Sequence, residues 1–277
     1  MRKLLARVGV LAIAALMVPA AAQAQSSKSD GHAKRAFYAT DSAGKLLRFT
    51  ANNPGKVTRR AIKGLPAGVR LTGIDFRPAT GDLYGVGGDS VVYRVNVSTG
   101  IAVAEAAVFT PGLSGTSFGV DFNPVPDRIR VSSDTGQNLR LHPDDGNVVG
   151  VDSAINPGMP QAVGAAYTNS SFSPIKPTTT TLYVLDAATD ALCVQNPPNM
   201  GTLTGCKAIA IKVGLNTGFD IAGSDTKNVG FVTAPAPGGK GTGLFRVSLS
   251  SAKTRYLGRV GKPSTTVTGL AAVQNVR

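Results

Sequence analysis

One pattern limits the folds open to this chain more than any other feature. Thr72-Gly73-Ile74-Asp75-Phe76-Arg77-Pro78, followed by Leu83-Tyr84-Gly85-Val86, returns along its whole length. It recurs as Phe118-Gly119-Val120-Asp121-Phe122-Asn123-Pro124 before Arg128-Ile129-Arg130-Val131, and as Thr217-Gly218-Phe219-Asp220-Ile221 before Val229-Gly230-Phe231-Val232. Weaker copies are Val163-Gly164-Ala165-Ala166-Tyr167 and Thr268-Gly269-Leu270-Ala271-Ala272-Val273. The glycines at 73, 119, 164, 218 and 269 are spaced by roughly 45 to 54 residues, the period of a β-propeller blade.

Each copy carries the same order of short apolar runs. In the first they are Thr72 to Phe76, Leu83 to Val86, Val91 to Val97 and Ile101 to Val108, with apolar and polar residues alternating in the third as a half-buried strand requires. The last copy, Thr268 to Val273, matches only the first strand of a repeat. Ala36 to Thr40, Lys45 to Phe49 and Val57 to Ile62 match only the last three. Pairing the two ends would complete one blade and remove the open sheet edges. The expectation is an all-β, five-bladed β-propeller whose N- and C-terminal strands share the closing blade. Six blades are the alternative if Thr168 to Thr180 hides further strands.

Ahead of the repeats, Met1-Arg2-Lys3 and Arg7, an apolar run from Val8 to Val18, and Ala22-Gln23-Ala24 form a secretory leader pattern with cleavage after Ala24. The apolar run is too short to span a bilayer, which takes about 20 residues. The expected organisation is residues 1–24 signal peptide, 25–35 flexible tail and 36–277 a single propeller domain, exported to the periplasm or beyond and monomeric. Cys193 and Cys206 flank the turn sequence Asn196-Pro197-Pro198-Asn199-Met200-Gly201. In an oxidising compartment they are expected to form a disulfide across a hairpin.

Taken together, the Gly-Ile-Asp-Phe and Gly-Val-Asp-Phe repeats, Leu83-Tyr84-Gly85-Val86, Val163 to Asn169 and Gln195-Asn196-Pro197-Pro198-Asn199 resemble a bacterial exported domain-of-unknown-function family, number forty-three ninety-four, over roughly residues 36 to 275. The resemblance implies an exported, propeller-like protein. The family carries no established activity or catalytic residue, so it transfers no chemistry.

Three repeat positions offer chemistry of their own. Asp75, Asp121 and Asp220 each stand two residues after a repeat glycine, so they occupy equivalent places on three innermost strands. Facing a central channel they could bind a ligand, with calcium as the candidate cation; ending in backbone hydrogen bonds they would be structural. Ala166 and Ala271 leave the set incomplete, and calcium wants six to eight oxygens. His32 and His142 are the only histidines, and the one Gly-x-Ser-x-Gly match, Gly115-Thr116-Ser117-Phe118-Gly119, leads into a repeat strand rather than from a strand into a helix, so no zinc site or hydrolase triad is legible. Asp127, Asp134, Asp144, Asp145 and Asp152 cluster in the third repeat. They lack the EF-hand spacing, and Asp144-Asp145-Gly146 reads as a tight turn.

Charge supplies a functional expectation. Residues 28–77 together with 227–277 hold 19 Lys or Arg against 3 acids, while 78–226 hold 7 against 13. Ring closure would bring the two basic stretches together into a cationic sector that attracts an anionic glycan, a lipid head group or an acidic protein. No specific nucleic-acid recognition is legible. The leading expectation is therefore a non-enzymatic binding or scaffolding module that presents loops such as Phe109 to Ser117, Val151 to Gln161, Thr168 to Thr180 and Ala234 to Gly243. The rival is a cation-dependent hydrolase or lactonase-like enzyme with its site in the channel.

Overall fold

The computed structural model describes residues 34–224 and 227–274. The leader, most of the expected tail and His32 lie outside the described residues.

All regular structure apart from one short 3-10 turn is β, in five four-stranded antiparallel sheets. The first three strands, β1 (Ala36–Asp41), β2 (Lys45–Thr50) and β3 (Asn53–Ala61), form three quarters of a blade. Three complete blades follow. They are β4 (Leu71–Phe76), β5 (Leu83–Gly87), β6 (Val92–Val95) and β7 (Ala102–Ala104); β8 (Phe118–Asn123), β9 (Arg128–Ser133), β10 (Asn138–Leu141) and β11 (Val148–Val151); and β12 (Ala162–Tyr167), β13 (Leu182–Asp186), β14 (Ala191–Gln195) and β15 (Leu203–Ala208). The fourth complete blade is β16 (Gly218–Ser224), β17 (Lys227–Pro235), β18 (Thr242–Val247) and β19 (Thr254–Arg259). The last strand, β20 (Val267–Ala272), returns to pair antiparallel with β1, Phe37 opposite Ala272 and Ala39 opposite Leu270, and so completes the first blade. Strands β1 and β20 therefore close the ring, and among the described residues no sixth sheet forms.

The inner strands are buried on both faces, and the cores lie between blades rather than within them. Phe37 and Phe49 of the closing blade meet Phe231 and Leu244 of the β16–β19 blade, with the rings of Phe37 and Phe231 4.8 Å apart edge to face. Tyr84 packs on Phe122 in the next-blade interface at 5.4 Å. Each such pair adds about 0.5–1.5 kcal/mol beyond area burial. Arg35, assigned to the mobile tail by its sequence, is instead seated: its guanidinium donates to the carbonyl of Val273 at 2.8 Å, and its carbonyl accepts Ala51 N–H. The outer strand read as Ile101 to Val108 is shorter, only Ala102–Ala104. Beyond it Glu105 N–H returns to Val92 and Phe109 N–H to Ser90, so the chain bends away from the edge.

The disulfide joins Cys193 of β14 to Cys206 of β15, bridging the hairpin around the 3-10 turn Pro198–Met200.

Candidate functional site

The inner strands β4, β8, β12, β16 and β20 stand side by side around the axis, each against the next and β20 against β4. Their crowding explains the repeat glycine. A Cβ on Gly119 would lie 2.4 Å from the backbone nitrogen of Ala165, and one on Gly218 would lie 2.7 Å from Cβ of Leu270. The five glycines line what is left of the channel at this level, a cavity of about 10 Å³. One water needs about 10–15 Å³, so the axis here has room for a single water at most.

At the next level Asp75, Asp121 and Asp220 converge, with one carboxylate oxygen of each within 4.8 Å of the others. All three are buried. Their hydrogen bonds follow one rule. Each carboxylate reaches forward to the amide that follows the equivalent position of the next blade: Asp75 Oδ2 accepts Phe122 N–H at 2.8 Å, Asp121 Oδ2 accepts Tyr167 N–H at 2.8 Å, and Asp220 Oδ2 accepts Ala272 N–H at 2.5 Å. The two blades with alanine at this position, Ala166 and Ala271, cannot reach forward. The amides they leave, Ile221 and Phe76, are taken instead by the Oδ1 atoms of Asp220 at 2.5 Å and Asp75 at 2.7 Å. Three aspartates thus satisfy five inward amides, one per blade, which accounts for the incomplete set read in the sequence.

Burial drives all three carboxyls upward. Desolvation, then the charges of the neighbouring aspartates, holds Asp75 and Asp121 well above the usual carboxylate range, and desolvation pushes Asp220 up to about 6 against the pull of its two amides and of Arg35. The donor set fits a calcium ion poorly. Calcium needs six to eight oxygens at about 2.3–2.6 Å, whereas five of the six carboxylate oxygens here already accept N–H groups.

The mouth above these aspartates is covered. The segment after β12 runs across it: Asn169 N–H donates to Asn228 Oδ1, Ser171 Oγ to the Gly223 carbonyl, and Ser173 N–H to the Pro78 carbonyl beyond β4. Residues 168–180, expected as an open contact loop or as hidden strands, are thus a strap over the axis.

Two buried arginines were missed by the sequence reading. Arg77 extends from the end of β4 to Asp127 at 2.6 Å and to Asp144, both in the following blade, with its guanidinium 5.9 Å from the Tyr84 ring centroid. Arg130 of β9 binds Asp152 at 2.6 Å and reaches Tyr167 and Asn199 of the next blade. Three loop acids of the third repeat, Asp127, Asp144 and Asp152, are partners of these cations, and the Arg77 hydrogen bond holds the Asp144 carboxyl below its usual range; Asp134 instead accepts from Thr116 and Asp145 from Asn147 N–H. His142 sits at the β10–β11 turn beside Asp145, 3.5 Å away.

The outer surface of two blades is different in kind. Strands β3 and β19 lie against each other at the seam between the closing blade and the β16–β19 blade. Lys56 and Arg59 of β3 and Arg255 of β19 are exposed there, with Lys253 and Lys262 alongside, and Arg60 is exposed on the other face of β3, where it lies against Gly100 of the β4–β7 blade. Among the described residues every ion pair falls between residues 77 and 212, so none neutralises these six cations. Arg246 and Arg255 are direct cross-strand partners on β18 and β19. A groove of about 620 Å³ beside them takes in Thr168, Asn169, Tyr183 and Lys253.

Five four-stranded sheets closed around a narrow axis define a five-bladed β-propeller. Residues 45–271 match the family model described as domain of unknown function (DUF4394), and the chain belongs to that family. A search of curated proteins found no match. Among solved structures the chain is similar to the Dos1 propeller, at 11% identity over 76% of this chain and 54% of that one, TM-score 0.41. It is also similar to the WD40 domain of Toxoplasma gondii coronin, at 16% identity over 79% and 54%, TM-score 0.43. A chain of the mitotic checkpoint complex is similar at 13% identity over 95% and 92%, TM-score 0.42. The chain spans about half the length of the first two. These likenesses concern the fold alone. Among the described residues no helix is long and apolar enough to cross a membrane.

Proposed function

We propose that this protein is an exported, non-enzymatic binding propeller whose ligand is an anionic glycan lying along the cationic seam of β3 and β19. The observation that carries this reading is the run of exposed cations on two adjoining blades with no ion pair among the described residues to neutralise them. Unpaired surface charge of one sign creates a field that raises the local concentration of an opposite partner. The neighbouring groove supplies hydroxyl, amide and phenol groups suited to sugar hydroxyls. Export is supported by the disulfide, which persists in oxidising compartments, and by the leader pattern of residues 1–24. An aspartate cluster that serves five backbone amides supports a structural axis rather than a reaction centre.

Surface plasmon resonance on immobilised dextran sulfate, with neutral dextran as the reference, tests the reading. Saturable binding to the sulfated polymer alone, weakening as sodium chloride rises, is expected because exposed charges are screened beyond a Debye length of about 8 Å at physiological salt. No binding at low salt would overturn it. Binding to vesicles of an anionic phospholipid without binding to dextran sulfate would replace the glycan with a lipid surface.

A further inference from the structure

At the edge of the seam a cleft of about 230 Å³ opens between the β1–β2 turn, β3 and the segment that leads into β20. Three cations line it, Lys45, Arg59 and Lys262, together with the hydroxyl residues Ser42, Ser264 and Thr265. Its two sides are tied by Ser42 N–H donating to the Thr266 carbonyl at 2.9 Å.

Arg59 is the centre of the cleft. Its guanidinium donates to Oγ1 of Thr265 at 2.8 Å, and that threonine is buried and held by its own turn: Oγ1 accepts Lys262 N–H, and Thr265 N–H donates to the Lys262 carbonyl. A neutral hydroxyl therefore orients the guanidinium, and its positive charge is left uncompensated. An arginine has five N–H donors in a planar fork matched to tetrahedral and planar oxyanions. The single acid of the lining, Asp41, is turned into the β1–β2 turn, where Oδ1 accepts Ala43 N–H at 3.0 Å and Lys45 N–H at 2.9 Å. Pockets for whole small molecules run to about 300–1,000 Å³. A smaller, hydroxyl-lined, cationic cleft fits one charged group.

We propose that this cleft binds a single sulfate- or phosphate-type oxyanion, gripped between Arg59, Lys45 and Lys262. It rests on the glycan reading above and would be the point at which one charged substituent of that polymer is held. Nuclear magnetic resonance of the nitrogen-labelled protein, titrated with inorganic sulfate and separately with inorganic phosphate against chloride at constant ionic strength, tests it. Saturable shifts are expected at the amides of Ala43, Lys45, Thr265 and Thr266, with half-saturation on the order of 1 mM, and the stronger of the two anions names the ester. Arg59→Gln should weaken binding by about tenfold or more, the loss of one charge-assisted contact, with spectral dispersion unchanged. Lys207→Gln, on β15 and outside both the cleft and the seam, should leave it intact. Shifts that never saturate, that spread evenly over the surface lysines, or that persist in Arg59→Gln would overturn the proposal. Dextran sulfate binding without saturable shifts from either ion would remove the subsite and keep the glycan reading, whereas saturable shifts without polymer binding would do the reverse.

Discussion

Oδ2 of Asp75 accepts the backbone N–H of Phe122, 47 residues further along the chain, at 2.8 Å. The bond joins one blade to the next at the axis, and Asp75 Oδ1 also takes the amide of Phe76. Asp75→Ala would leave both amides without an acceptor in a buried interior. Each buried donor left unsatisfied costs about 1–3 kcal/mol. The variant is expected to melt well below the parent by circular dichroism, while Asp75→Asn, which keeps one acceptor oxygen, should lose less. An unchanged melting temperature in Asp75→Ala would refute this role.

The same cluster sets a pH dependence. The folded pKa of Asp220, about 6, lies above its ordinary 3.8. A raised folded pKa means stability that is fully present below pH 3.8 and lost as pH rises through about 6, here by about 3 kcal/mol for this buried group. Asp75 and Asp121, also raised by burial, act in the same direction. Urea midpoints measured across pH should therefore fall between pH 4 and 6, and Asp220→Asn should flatten that portion. A midpoint that climbs over the interval would contradict the assignment.

Arg130 is fully buried and donates to Asp152, Asn138, Asn199 and Tyr167. Removing one member of a buried ion pair strands the other and costs about 3–5 kcal/mol. Arg130→Ala should unfold at correspondingly lower denaturant, with the loss carried into the interface between the β8–β11 and β12–β15 blades.

The disulfide joins β14 to β15 across a sequence separation of 13. A loop of that size contributes about 3 kcal/mol in the chain-entropy account. Cys193→Ser/Cys206→Ser should show that loss in equilibrium unfolding, and the parent should match it after reduction.

Much of the ring was legible because it is a local matter repeated five times. The apolar and polar alternation of Val91 to Val97 and the lone inner strand at Thr268 to Val273 are visible in a window of a few residues, and the turn between Cys193 and Cys206 is equally local. The aspartates were visible as a set, but their sharing among five amides was not, since it depends on which blades carry Ala166 and Ala271 beside them in space. Arg77 and Arg130 were illegible for the same reason: Arg77 finds its acid 50 residues away, and Asn199 lies 69 from Arg130. Strand β7 was read too long because apolar residues such as Val108 continue past it, although Val108 is 63% exposed on an edge with no neighbouring strand to pair with.

The cationic seam is the claim on which the functional account stands, and amide hydrogen exchange with and without dextran sulfate tests its position most directly. Added protection confined to β3, β19 and residues 261–266 is the predicted result. Protection centred on the strap at 168–180 or on residues 109–117, or spread evenly over all five blades, would contradict it.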